Sequence, residues 1–132
     1  MSRIENAIVV VVDDQEASRA PIVEALLRHR FKVVEADGGR KALEIKRSQP
    51  IAAIITDIAM PHGDGVELLR EAKYRNETFP VFLMSHSPEL YSESRGYELA
   101  DGIFKKPVNT KELIRAMERA IGQTIVSFSL VA

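Results

Sequence analysis

Three carboxylates, a hydroxyl and an ammonium stand at the ends of separate apolar runs in this chain. Ile8–Val12 precedes Asp13-Asp14, Ile51–Thr56 precedes Asp57, and Val81–Met84 precedes Ser85. A weaker run, Ile103-Phe104, leads into Lys105-Lys106-Pro107. Short apolar runs without alternation are the mark of strands buried on both faces of a parallel sheet. In such sheets ligands and reacting groups gather beyond the carboxyl ends of the strands. Brought together there, these groups suit a divalent cation beside an aspartate that takes up a phosphoryl group. Phosphoryl transfer needs neutralisation of spread negative charge and in-line positioning more than acid–base chemistry. Mg²⁺ prefers a few carboxylates plus waters and phosphate oxygens. Without a cation, three close carboxylates repel and one holds its proton more tightly. A lysine on its long stem reaches a phosphate as a point charge.

The rest of the sequence supplies elements to hold these groups. Helical patterns alternate with the apolar runs, which predicts βα repeats and a parallel sheet. The spacing predicts strands at 7–12, 31–36, 51–56, 79–84 and 102–105. Helices are expected over 16–29, with Ile22, Leu26, Val23 and Leu27 inward, and over 39–48, with Ala42 and Leu43 inward. Pro21 predicts a late start or a kink in the first of these. Asp64 followed by Glu67 reads as a capping box for a third helix with Val66, Leu69 and Ala72 inward. Ser87-Pro88 reads as the start of a fourth, weakened by Ser92, Ser94 and Gly96. Asn109 and Glu112 cap a fifth, running to about Ile121 on a face of Leu113, Ile114, Met117 and Ile121. Met60–Gly65 is a loop on its punctuation. The fold expected is α/β: a five-stranded, doubly wound parallel sheet of order 2-1-3-4-5, flavodoxin-like, with strands 1 and 3 adjacent at the switch point. The domain is expected over 1–122. Residues 123–132 read as an apolar, β-prone tail or linker start that would pack on the domain, extend as an edge strand or pair two chains.

Composition narrows the function classes. A chain of 132 residues is one domain with one two-faced core. Its net charge of -1 gives no general case for nucleic acid or an anionic membrane. The absence of cysteine removes thiolate metal sites, disulfides and cysteine catalysis. The expected location is cytoplasmic, without a membrane span, and no stretch of chain after the fifth helix is long enough for a helix-turn-helix.

Val11-Val12-Asp13-Asp14, Thr56–Gly65, Leu83-Met84-Ser85 and Lys105-Lys106-Pro107, in this order and in βα context, resemble the response-regulator receiver domain of two-component signalling over roughly residues 5–122. The resemblance implies a role for each matching residue. Asp57 would accept a phosphoryl group from a phosphohistidine on a histidine kinase or histidine phosphotransfer protein. Asp13, Asp14, Asp57 and the backbone carbonyl of Ala59 would hold Mg²⁺, with Mn²⁺ as the alternative. Ser85 and Lys106 would contact the phosphoryl oxygens. The surface of the fourth helix, fifth strand and fifth helix, with Tyr91 and Tyr97, would meet an output protein that the sequence does not name. The domain would be a signalling module assisting only its own phosphorylation and dephosphorylation. A homodimer through the tail stays open.

Taken singly, each group has a plainer reading. Asp13-Asp14 would cap a helix, Ser85 would be a strand-end hydroxyl, and Lys105-Lys106 would be a solvated pair. His29, His62 and His86 do not cluster as ligands do. The chain also departs from the family pattern. Ile103 stands at the switch position where an aromatic is frequent, and Phe104 faces the opposite side of the strand. Leu99 stands where a glycine is common. Ala59 brings no polar group to the phosphoryl site. Two other functions compete: a binding scaffold with little phosphorylation, which the intact acid set and lysine disfavour, and a phosphohydrolase, which commonly needs a second carboxylate where Ala59 stands.

Overall fold

The computed structural model describes residues 7–61, 64–74 and 79–131, with side chains through Gly122. Five strands form one all-parallel sheet: β1 (Ile8–Val12), β2 (Lys32–Ala36), β3 (Ala53–Asp57), β4 (Val81–Ser85) and β5 (Gly102–Lys105). Their order is β2-β1-β3-β4-β5, as the sequence predicts. Val12 is level with Ala36 on one side and Thr56 on the other, so the three strand ends lie in line. Asp57 pairs with Met84 and Ser85 with Lys105, which extends that line across the sheet.

Among the described residues four α-helices cover the sheet: α1 (Glu16–Arg28), α2 (Gly39–Ser48), α3 (Gly65–Lys73) and α4 (Thr110–Val131). Alternate residues of the strands serve two cores. Val9, Val11, Ile55 and Phe82 pack with Ile22 and Leu26 of α1 and Leu113 and Met117 of α4. Val10, Val12, Ile54 and Leu83 pack with Ala42 of α2 and Leu69 and Ala72 of α3. A side chain such as Leu113 or Leu69, fully buried, stabilises the fold by about 1.5–3 kcal/mol through burial.

The caps follow the sequence. The Asp64 carboxylate accepts from the Glu67 N–H at 2.8 Å, and the Asn109 side chain accepts from the Glu112 N–H at 3.1 Å. The other end of α1 closes without glycine. Arg30 takes φ 67°, its N–H donates to Leu27 O, and Phe31 N–H donates to Leu26 O, both at 3.1 Å. This is a Schellman closure, completed by contact of Phe31 and Leu26 in the same core.

Four expectations need correction. First, no α-helix lies between β4 and β5 among the described residues. Two 3-10 turns, Pro88–Tyr91 and Tyr97–Leu99, stand there, and Ser87 makes no side-chain cap. Serines at 92 and 94 favour turns, and Gly96 adopts φ 95°, which ends any helical run. Second, of the two outcomes expected from Pro21, the late start is excluded: α1 begins at Glu16 and carries Pro21 inside it. Third, Leu27 is 56% exposed rather than inward. Fourth, the last helix does not stop near Ile121. It continues to Val131, so the backbone of the supposedly β-prone tail is helical. One glycine inside a helix costs only about 1 kcal/mol, and no proline follows Pro107 to stop propagation. His62, and the side chains of the tail on which its packing or pairing would depend, lie outside the described residues.

Candidate phosphoacceptor and metal site

Each chemical group reaches the site from a strand end that is fixed by backbone bonds. Asp13 follows β1, and its N–H donates to Ala36 O at 3.1 Å. Asp57 is the last residue of β3, and the next N–H, of Ile58, donates to Met84 O at 2.9 Å. Lys106 follows β5, and its N–H donates to Ser85 O at 2.8 Å. The Lys106-Pro107 peptide is cis. Gly65 opens α3 directly beneath Asp57, and its N–H donates to Ile58 O at 2.8 Å.

The side chains then converge. Lys106 Nζ lies 2.9 Å from Asp13 Oδ2 and 3.3 Å from Asp57 Oδ1. One oxygen from each of Asp13, Asp14 and Asp57 falls within 4.8 Å of the others. Asp13 is fully buried, Asp57 nearly so, and Asp14 is exposed. Burial pushes the Asp57 carboxyl above its ordinary pKa, Lys106 pulls it back, and the charge of Asp13 adds to the rise. The donors are all carboxylate oxygens, a hard set that suits Mg²⁺ or Mn²⁺ better than a softer metal. Asp13, Asp14 and Asp57 are thus the residues that would hold such an ion, with exposed Asp14 the freest of the three to adjust. An open cavity of 580 Å³ borders Asp14, walled by Asp37, Arg40, Lys41 and Pro61.

The other sequence candidates occupy distinct places. Ser85 ends β4, is buried, and its Oγ accepts from the Ser87 N–H at 3.0 Å. Ala59 is exposed in the loop after β3. Ile103 is 37% exposed on β5, while Phe104 turns to the core and meets Phe82 with ring centroids 6.1 Å apart. Tyr91 and Tyr97 belong to the 3-10 turns and are half-buried against the α2–α3 core. Leu90, beside Tyr91, is 75% exposed. His29 and His86 are exposed and apart from the acid cluster.

Sequence reasoning passes over three residues of the site. Ser18 Oγ accepts from Lys106 Nζ at 2.9 Å. Arg19 Nη1 donates to the backbone oxygen of Asp13 at 2.6 Å, while its Nε pairs with Glu35 at 2.8 Å. The bond to Glu35, outweighing the cost of burial, raises the Arg19 pKa. Only their position one turn into the helix after Asp13-Asp14 could have marked Ser18 and Arg19. Gly65, the third, stands in a loop rich in turn residues, where a glycine needed for close approach looks like any other.

The family model of the response regulator receiver domain matches residues 9–118. The chain belongs to that family. Two rice proteins are each 36% identical over 117 residues, 86% of this chain: two-component response regulator ORR7 (Oryza sativa subsp. japonica) and ORR11 (subsp. indica). The receiver chain spans 56% of the length of the first and 80% of the second. Among solved structures, the chemotaxis response regulator CheY4 of Vibrio cholerae is 27% identical, with a TM-score of 0.75 over 87% of this receiver and 98% of CheY4. The receiver thus has a CheY-like fold. No helix among its described residues is long and apolar enough to cross a membrane.

Proposed function

We propose that Asp57 accepts a phosphoryl group from the phosphohistidine of a histidine kinase or histidine phosphotransfer protein, and that the modified receiver switches a protein-interaction surface. The observation that carries this reading is the Lys106 ammonium placed 2.9 Å from Asp13 and 3.3 Å from Asp57, against three converging carboxylates. Rice relatives named two-component response regulators support the same partners. The reading places the receiver in the cytoplasm, where ATP-fed kinases work.

Asp57 supplies the nucleophile. One of its carboxylate oxygens attacks phosphorus in line with the scissile P–N bond, the new O–P bond forms as that bond breaks, and the imidazole leaves with the electron pair. The donor comes in over the open groove beside Asp14. Asp13, Asp14, Asp57 and the Ala59 carbonyl would hold Mg²⁺ (or Mn²⁺), which when bound neutralises charge on the transferring oxygens. Lys106 compensates the same charge from the β5 side. Its ammonium already faces Asp57, so little reorganisation accompanies the transfer.

The hydroxyl of Ser85 would bond a phosphoryl oxygen. Its Oγ accepts from the Ser87 N–H at 3.0 Å, so its O–H is left to donate to that oxygen, and a shift of the hydroxyl toward the phosphoryl group would carry the start of the first 3-10 turn with it. That turn carries Tyr91 and exposed Leu90, and the second carries Tyr97. Together with half-exposed Ile103, these residues form the proposed output surface. Isoleucine is stiff and lacks a polar tip, so it fills or vacates space rather than exchanging a hydrogen bond. The receiver proper would end near residue 122, with α4 carrying its last turns beyond.

The test is labelling with acetyl phosphate and Mg²⁺, followed by mass-spectrometric mapping. The expected product carries one phosphoryl group, on Asp57. Undiminished label in Asp57→Asn would overturn the assignment.

A further inference from the structure

We propose that Ser18 is a positioning residue that holds the Lys106 ammonium in place for the incoming phosphoryl oxygens. The inference rests on the phosphoacceptor reading of Asp57.

A lysine ammonium has three N–H donors on a flexible stem. Here one donor goes to Asp13 Oδ2 and one to Ser18 Oγ, both at 2.9 Å, leaving the third for the side of Asp57, whose Oδ1 is 3.3 Å away. The two protein partners differ in kind. Asp13 is charged and belongs to the acid trio, so any cation held there competes with Lys106 for it. Ser18 is neutral and outside the trio, and its bond to the ammonium does not depend on how the acids are occupied.

Both ends of the Ser18–Lys106 bond are anchored. Ser18 lies in the first turn of α1, where its N–H donates to Gln15 O at 3.1 Å. Lys106 is pinned through its own N–H to Ser85 O at 2.8 Å. The neighbouring Arg19 grips the backbone of Asp13 from the same turn. A single turn of α1 therefore sets both the acid and the ammonium. Losing the hydroxyl frees the stem torsions of Lys106 while leaving all three carboxylates in position.

The experiment compares wild type, Ser18→Ala and Ser18→Thr, with beryllofluoride as the phosphoryl mimic and Mg²⁺ alone as the control. Calorimetry gives the Mg²⁺ affinity, ¹⁹F NMR the beryllofluoride affinity in saturating Mg²⁺, and thermal unfolding the stability. Ser18→Ala should weaken beryllofluoride binding about tenfold, as expected for loss of one charge-assisted hydrogen bond. Its Mg²⁺ affinity and melting temperature should stay near wild type, and Ser18→Thr should restore beryllofluoride binding. Wild-type beryllofluoride affinity in Ser18→Ala would overturn the proposal, as would a loss matched by equal losses in Mg²⁺ affinity and stability. A wild-type protein that takes Mg²⁺ but never beryllofluoride would overturn the phosphoacceptor reading itself, and this inference with it.

Discussion

Gly65 approaches Asp57 so closely that a β-carbon on it would lie 2.3 Å from the Asp57 backbone oxygen. The end of β3 and the start of α3 are thus in backbone contact, and the residue bearing the proposed acceptor is supported from below by a missing side chain. Gly65→Ala should push the two apart, cost about 1–3 kcal/mol of stability as overpacking does, and weaken beryllofluoride binding. Urea unfolding and ¹⁹F titration check both effects. Unchanged stability would mean that the contact relaxes freely.

The raised pKa of Asp57 gives a signed pH effect on the metal-free protein. Its carboxyl is held above the ordinary range by burial and by Asp13, despite Lys106. The folded state therefore prefers the protonated form. The stability this group contributes is present below its unfolded pKa and is lost as pH rises through the raised folded pKa. Asp57→Asn, which never ionises, should melt a few degrees higher than wild type at neutral pH without metal, and the difference should vanish in acid. Thermal scans in chelator across pH test this. A variant less stable than wild type at neutral pH contradicts it.

Mg²⁺ should reverse that order. If the three acids hold a cation, calorimetry should show one site whose affinity falls at least tenfold in Asp13→Asn and in Asp57→Asn, and less in exposed Asp14→Asn, where water can replace the ligand. Wild-type affinity in all three variants would remove the metal site.

The segment between β4 and β5 depends on α3 rather than on helical structure of its own. Arg70 donates to Arg95 O at 2.5 Å and its stem covers Gly96, where a β-carbon would meet Arg70 Cγ at 2.5 Å. With φ 95° at Gly96, Gly96→Ala should cost about 1–2 kcal/mol. Amide hydrogen exchange across 92–100 should quicken in that variant and in Arg70→Ala. Exchange as slow as wild type in both variants would show that the turns hold themselves.

At the C-terminal end of α1 the opposite change should help. Arg30 occupies the left-handed position that glycine fills without strain. Arg30→Gly should stabilise the receiver by about 1 kcal/mol, read from the midpoint of denaturant unfolding. A loss of that size would show that the arginine contributes more than its backbone costs.

Strands β1, β3 and β4 were readable because burial on both faces leaves few polar residues to interrupt them, as in Val9 to Val12, all fully buried; β5, exposed on one face, and α2 also fall where the pattern puts them. Their ends were less so. The apolar run at Phe79 suggests a strand start there, yet Pro80 has no N–H for the ladder and β4 begins at Val81. Ser87-Pro88 carries a local helix-start signal, but no apolar face follows to hold a helix against the core. The acids and Lys106 were legible through their places at strand ends. Ser18 was not, because a serine in the first turn of a helix is usually a capping group or a solvated one, and its bond spans 88 positions of sequence.

That distance has a bearing on synthesis. Lys106 and Asp13 pair across 93 positions, and Asp57 stands between them. A ribosome delivers the acids first and their counter-charge near the end. Until β5 is laid down, a nascent chain carries Asp13, Asp14 and Asp57 with no ammonium among them, an electronegative centre open to any passing cation. Only a chain translated past residue 106 has the Lys106 ammonium that offsets part of this charge. The charge of this centre thus depends on how far the chain has been made: a product ending before residue 106 would carry the three acids without their counter-charge.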